Sequence, residues 1–272
     1  MAKLGKIIPV VLTLLVIGGC NTMQTRSSDA SALARIEQRG ELVLGTSGDM
    51  EPMSYTHADG KVVGLDIDIG RFMAQAMGVK LTTRTLPFTE LLPALQRGEV
   101  DVVISNLTIT PKRNMSVAFV GPYMTSGKCI LTKQESLARA QQAEDLNTPD
   151  TRIAVMQGST SEDFVKTLLP QATVMLADSR AAAVDLVKSD QAGGMLTDYP
   201  ICMSTLKNHP EAGFVSLFSL LSYEPIGIAL PGNDPLFVNW TENFLMRMEA
   251  LGALDEIGKR WFGEYAEAMQ SE

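Results

Sequence analysis

Histidine is almost absent from this 272-residue chain: His57 and His209 are the only two. A histidine-rich metal site or a histidine-based catalytic triad therefore has too little material. Cysteine is nearly as scarce, with Cys20, Cys129 and Cys202, far below a disulfide-dense scaffold and at spacings that match no zinc motif. Basic residues are in deficit, 23 Lys and Arg against 31 Asp and Glu for a formal charge of −8. The broad cationic surface that phosphate backbones require is missing, so no nucleic-acid partner is expected. No apolar run reaches the roughly 20 residues of a membrane-spanning helix. There is no P-loop, dinucleotide fingerprint or nucleophile–base pair, and no cofactor or metal is expected. What is present, 45% hydrophobic residues with 22 Gly and 13 Pro, is the composition of a folded chain long enough for one large or two ordinary domains.

The amino terminus reads as an address. Lys3 and Lys6 precede an apolar run from Ile7 to Ile17 interrupted only by Thr13, the pattern of a secretory signal. The run ends Val16-Ile17-Gly18-Gly19-Cys20, and small residues directly before a cysteine resemble the lipobox of bacterial lipoproteins. That resemblance implies a signal peptide at 1–19, lipidation at Cys20, and a mature chain lipid-anchored to a membrane in the periplasm or at the cell surface. An ordinary signal peptide is the alternative. Residues 20–38 are expected to form a flexible tether, because the polar Ser/Thr-rich stretch from Asn21 to Ala32 has no apolar period. Cys129 and Cys202 remain for the folded body, where a disulfide and two buried thiols both stay open.

Beyond the tether, strand and helix patterns alternate. Glu41 to Thr46 reads as strand; Ile69, Phe72, Met73, Ala76 and Met77 recur at helical spacing before Gly78. Strand at Leu81 to Leu86, helix at Leu91 to Gln96 and a buried strand at Val100 to Ile104 follow. The alternation resumes from Arg152 to Leu196, with a further strand at Ile226 to Leu230. A last helix places Phe237, Trp240, Phe244, Leu245 and Met248 on one core-facing side. Such a pattern predicts α/β packing around mostly parallel sheets, in which ligands sit beyond the carboxyl ends of strands.

Three strand ends carry unusual chemistry. In Ser105-Asn106-Leu107-Thr108-Ile109-Thr110-Pro111-Lys112-Arg113 a buried strand runs into hydroxyls and a helix start, with Thr110 as N-cap and Pro111 at the first helical position. Lys112 and Arg113 then fall in the first turn, where the helix dipole disfavours cations. An anion shared by Arg113, Thr108 and free N–H groups resolves the conflict; a solvated cation is the plainer reading. The second end, Met156-Gln157-Gly158-Ser159-Thr160-Ser161, presents hydroxyls that serve equally as helix caps. The third carries Asp198, which either meets a ligand ammonium or caps the helix beginning near Pro200. A fixed cation, a carboxylate and neutral hydroxyls together describe a receptor for a zwitterion.

On these residues the chain resembles the periplasmic substrate-binding proteins of ABC importers for polar amino acids. The resemblance runs from about Glu41 to Phe262. It is carried by Gly64-Leu65-Asp66-Ile67-Asp68, by Leu92 to Gly98 with Val100-Asp101, by Thr108 to Arg113, by Phe119 with Pro122-Tyr123, and by Gln157-Gly158-Ser159-Thr160. It implies a type II two-lobe α/β fold with two hinge strands, near Met124 to Lys128 and Glu224 to Ile228. Lobe 1 would comprise 39–125 plus 227–272, and lobe 2 would comprise 126–226. In the family the carboxylate is bound by the arginine matching Arg113, helped by residues matching Asn106, Thr108 and Thr160, and the ammonium by the aspartate matching Asp198. The partner implied is an ABC permease, which recognises the ligand-closed form, and the protein is expected to be a monomer.

Four positions bear on specificity. Met50 stands where many members place an aromatic, whereas Phe88 retains the other. Ser47 and Met156 stand where histidine, lysine and glutamine binders carry charged residues. An uncharged ligand side chain is therefore expected, with Asp49 and Glu51 near enough to upset this if either turns inward. No catalytic residue is expected. The enzymatic alternative, a dehydratase on the same scaffold, needs an acid in the cleft, and Glu162 is the nearest candidate. A third alternative is a ligand-sensing subunit for a signalling receptor.

Overall fold

The computed structural model describes Met1 and residues 31–140, 142–217 and 222–269; the signal-peptide and Cys20 assignments lie outside these residues. Within Ser31–Glu272, Ser31 accepts the Ala34 N–H and opens α1 (Ala32–Arg39), which ends on left-handed Gly40. Ala32 and Ile36 are buried in the core. The span expected to be tether as far as residue 38 is thus folded from residue 32, because two apolar residues four apart find a partner surface that the polar stretch before them does not need.

From β1 (Glu41–Thr46) the chain makes a small antiparallel sheet of β2 (Asp49–Met50), β3 (Ser54–Thr56) and β4 (Val62–Val63). Then α2 (Leu65–Met77) buries Ile69 and Met73 while leaving Phe72 exposed. Next come β5 (Lys80–Thr85), α3 (Leu91–Gln96), β6 (Val102–Val103), α4 (Pro111–Asn114) and β7 (Ala118–Ser126). After Gly127 the chain enters β8 (Lys128–Thr132), α5 (Glu135–Ala138), β9 (Arg152–Met156), α6 (Thr160–Leu168), β10 (Thr173–Ala177) and α7 (Arg180–Lys188). It continues through β11 (Gly194–Asp198), α8 (Tyr199–Asn208) and β12 (Val215–Leu217). It returns by β13 (Glu224–Leu230) and closes with α9 (Pro235–Ala250) and α10 (Ala253–Met269). The helix carrying Phe237 to Met248 is therefore followed by one more.

Two five-stranded sheets result, ordered β5-β1-β6-β13-β7 and β10-β9-β11-β8-β12. In the first, β5, β1 and β6 are parallel and β13 is antiparallel to both its neighbours. The second repeats the plan with β10, β9 and β11 parallel and β8 antiparallel to both its neighbours. The sheets are mixed rather than mostly parallel. The reason is connectivity: β8 and β13 arrive directly from the other sheet, not through a helical crossover, so nothing requires them to run parallel. The two connecting strands also pair with each other, Glu224 with Ser126 and Ile226 with Met124.

The first sheet shares one apolar core running from Ile36 and Leu42 to Phe237 and Ile257. The second has a core on each face, one around Ala154, Val184 and Met195 and the other around Ile130, Val155 and Val165. Cys129 of β8 and Cys202 of α8 form a disulfide with Cα atoms 6.6 Å apart, which resolves the alternative left open above.

Candidate functional site

The segment after β6 positions the first wall. Asn106 adopts a left-handed φ of 47°, and its N–H donates to Asp66 Oδ2 at 2.9 Å. Asp66 also accepts from the Tyr123 hydroxyl at 2.6 Å; burial raises its pKa to about 6 against these two bonds. So braced, Asn106 donates its Nδ2 to Asp198 Oδ2 at 2.8 Å, while its buried Oδ1 has no hydrogen-bond partner among the described residues.

Thr110 caps α4 by accepting the Arg113 N–H at 3.2 Å, as the sequence pattern anticipates. The Arg113 guanidinium turns away from solvent. Nη1 donates to Thr108 O at 2.8 Å, Nη2 donates to Gly158 O at 3.1 Å, and the group lies 5.7 Å from the Phe88 ring centroid. Among the described residues no carboxylate comes within 4 Å of it. Burial lowers its pKa, opposed by Asp198, Asp163 and Glu224 at longer range.

The second wall belongs to the other sheet. Asp198 takes the N-cap position of α8 but its side chain caps no helix N–H. Its Oδ1 instead accepts from Lys128 Nζ at 2.5 Å. Lys128, only 2% exposed, also donates to Thr160 Oγ1 at 2.7 Å and lies 3.5 Å from Glu224 Oε2. Thr160 in turn donates to Glu224 Oε2 at 3.0 Å. Burial pushes the Glu224 pKa up, but Lys128, Ser222 and the two threonines outweigh it and hold the carboxyl below its ordinary value.

Between the walls lies about 440 Å³ of atom-free space, part of it open to solvent. Met50, Phe88, Asn106, Thr108, Arg113, Met156, Thr160 and Asp198 all line it. Ser47 does not. At the end of β1 its N–H donates to Ser105 Oγ at 2.9 Å, and its own hydroxyl accepts from Ser105 at 3.3 Å, so neighbouring strand ends satisfy each other and the side chain is spent there. Glu162 is also outside the lining: it accepts the Gly158 N–H at 2.6 Å and pairs with Lys166. Burial raises its pKa, but these partners prevail and hold it below the ordinary value.

Sequence reasoning missed three charged groups. Lys128 opens β8 and Glu224 opens β13, where a single charged residue at a strand start gives no motif. Arg180 lines the cavity and did leave a signal. Ser179 caps α7 directly after β10, so Arg180 is a first-turn cation at a strand end, the same conflict with the helix dipole that singles out Arg113.

Two lobes of this plan, joined by two paired strands and enclosing a cavity of mixed charged, hydroxyl and apolar lining, define a solute-binding protein of the type II class. The chain belongs to the bacterial extracellular solute-binding proteins, family 3, whose profile matches residues 42–264. It is similar to the arginine-binding extracellular protein ArtP of Bacillus subtilis, 27% identical over 92% of this chain and 96% of that one. It is also similar to the cyclohexadienyl dehydratase of Pseudomonas aeruginosa, 26% identical over 85% of this chain and 86% of that one. Among solved structures, the ancestral amino acid-binding protein AncCDT-1, a precursor of cyclohexadienyl dehydratase, superposes with a TM-score of 0.79 at 37% identity, covering 86% of this chain and all of that one.

Proposed function

We propose that the protein binds an α-amino acid in this cavity, with the ligand carboxylate on Arg113 and Thr108 and the ammonium at Asp198 and Asn106 Oδ1. The observation that carries the reading is a guanidinium that, among the described residues, bonds only to backbone carbonyls, in the same cavity lining as Asn106, whose buried amide oxygen has no donor among them. Unpaired groups of this kind are costly in a closed site and are compensated by a ligand of complementary charge. Asn106 meets Asp198 and Arg113 meets Gly158 across the two walls, and a ligand held by Arg113 on one wall and Asp198 on the other favours this closed arrangement over an open one.

In this reading the closed form delivers its ligand to an ABC permease, and the protein acts outside the cytoplasm as a monomer anchored by lipid at Cys20. Among the described residues no helix is long and apolar enough to cross a membrane. A thermal-shift screen of the twenty amino acids tests the binding step, because a ligand at about 100 times its Kd adds ~2.7 kcal/mol. No shift with any of them removes the reading. Mass spectrometry of the mature amino terminus, looking for an acylated cysteine, tests the anchor.

Similarity to a dehydratase keeps an enzymatic second reading in view. The lining carboxylate, Asp198, is already paired with Lys128, and Glu162 is engaged outside the cavity. Incubation with prephenate or arogenate is expected to yield no product; turnover would overturn the binding-only function.

A further inference from the structure

Arg180 is the cation in the cavity wall that an amino-acid head group does not use. It opens α7 and is held by elements that take no part in holding Arg113. Its Nε donates to Asp49 O at 2.7 Å and its Nη1 to Thr205 Oγ1 at 3.3 Å, which sets it beside Met50 and Ile201 in the lining. A guanidinium has five N–H donors, so these two bonds leave three. Burial lowers its pKa, offset by Asp49 and Glu51. Neither of those acids lines the cavity, and among the described residues neither carboxylate lies within 4 Å of the guanidinium. Asp49 Oδ2 accepts the Arg180 backbone N–H at 3.1 Å, and Glu51 Oε2 accepts from Asn208 at 2.6 Å.

Among the described residues the charges lining the cavity are Arg113, Arg180 and Asp198; with Lys128 behind Asp198 and Glu224 beside Lys128, the group keeps one net positive charge. A neutral amino acid, whose own charges cancel, leaves that balance positive. A second acid group on the ligand corrects it, and a cationic side chain worsens it. Met50 and Ile201 supply apolar contact for the methylene groups between the two acids.

We propose that Arg180 binds a second acid group, so that the ligand is an acidic amino acid of the aspartate or glutamate kind. This rests on the amino-acid reading above and replaces the uncharged side chain expected from Ser47 and Met156, an expectation that did not take Arg180 into account. Arg180 acts here as a specificity-determining residue.

Calorimetric titration with glutamate, aspartate, their two amides, norvaline and arginine tests it. Wild-type protein is expected to bind one of the acids roughly 10- to 100-fold more tightly than its amide, the range of one charge-assisted contact. Arg180→Gln is expected to abolish that preference, and Arg180→Lys to keep its direction. A purely structural Arg180, tying Asp49 to α7, would instead weaken acid and amide equally. Melting curves of the unliganded variants show whether they fold; if Arg180→Gln does not, the wild-type ratio and the Arg180→Lys ratio decide. Tightest binding of a neutral amino acid or of arginine, still dependent on Arg113, overturns the acidic specificity but leaves the amino-acid reading standing. Failure of all six to bind overturns the acidic specificity, and the screen of all twenty amino acids then decides the amino-acid reading separately.

Discussion

Lys128 and Arg113 are two cations of one site, held in opposite ways. Lys128 is enclosed, and its ammonium donates to Asp198 and Thr160 and lies within ion-pair distance of Glu224, so its charge is opposed by two carboxylates within the protein. Arg113 is half-buried and meets only carbonyl oxygens and the face of Phe88. The difference teaches how to tell a structural charge from a binding one. A cation whose charge is cancelled by the protein belongs to the scaffold. In the proposed reading, a cation that has hydrogen bonds but no carboxylate in contact is kept for the ligand.

The strongest way to break the comparison is to remove each cation in turn. Lys128→Ala leaves Asp198 and Glu224 enclosed without a partner and is expected to cost ~3–5 kcal/mol of stability in urea denaturation. A loss below about 1 kcal/mol would show that the triad is not a scaffold element. Arg113→Ala is expected to leave stability within about 1 kcal/mol of wild type but to cut ligand affinity by more than a hundredfold, ~3–5 kcal/mol by calorimetry. Unchanged affinity would take Arg113 out of the site.

A smaller effect sharpens the scaffold half of the contrast. Cys129 follows Lys128, and Cys202 lies in the helix that Asp198 precedes, so the disulfide fastens the two elements that carry the ion pair. Replacing both cysteines with serine is expected to cost ~2–4 kcal/mol of stability. Affinity should stay within about threefold, because Arg113 is anchored elsewhere.

The smallest effect lies in pH. Burial raises Asp66 from 3.8 to about 6 in the folded chain, so the folded state binds more protons than the unfolded state between those values. Stability from this group is complete below pH 3.8 and is lost as pH rises through 6, by about 1–2 kcal/mol between pH 5 and pH 7. Asp66→Asn should flatten that part of the stability profile, read by denaturation at several pH values. An unchanged slope would assign the dependence to other groups.

The elements that sequence patterning recovers well are those with local causes. Leu91–Gln96, Arg152–Met156 and the Thr110-capped turn at Pro111 follow from apolar period, β-branched runs and cap chemistry. Eight of the nine candidate ligand positions line one cavity, because in this architecture strand ends and the helix starts that follow them converge. Ser47 fails because the same strand-end logic cannot say whether a hydroxyl faces the cavity or the next strand. The antiparallel β8 and β13 fail because their direction depends on which sheet they come from, and no residue within them encodes that.

The sequence by itself determined the class of protein, since cap residues, apolar period and the family motifs act over a few positions each. It also placed a cation and a carboxylate at strand ends. Tertiary structure alone decided that Asp198 faces Lys128 instead of capping α8, that Cys129 meets Cys202 across 73 residues of sequence, and that Arg180 joins the cavity. Each of these is a long-range pairing of charges or sulfurs, and such pairings exist only once packing has fixed which polar groups lose their water together.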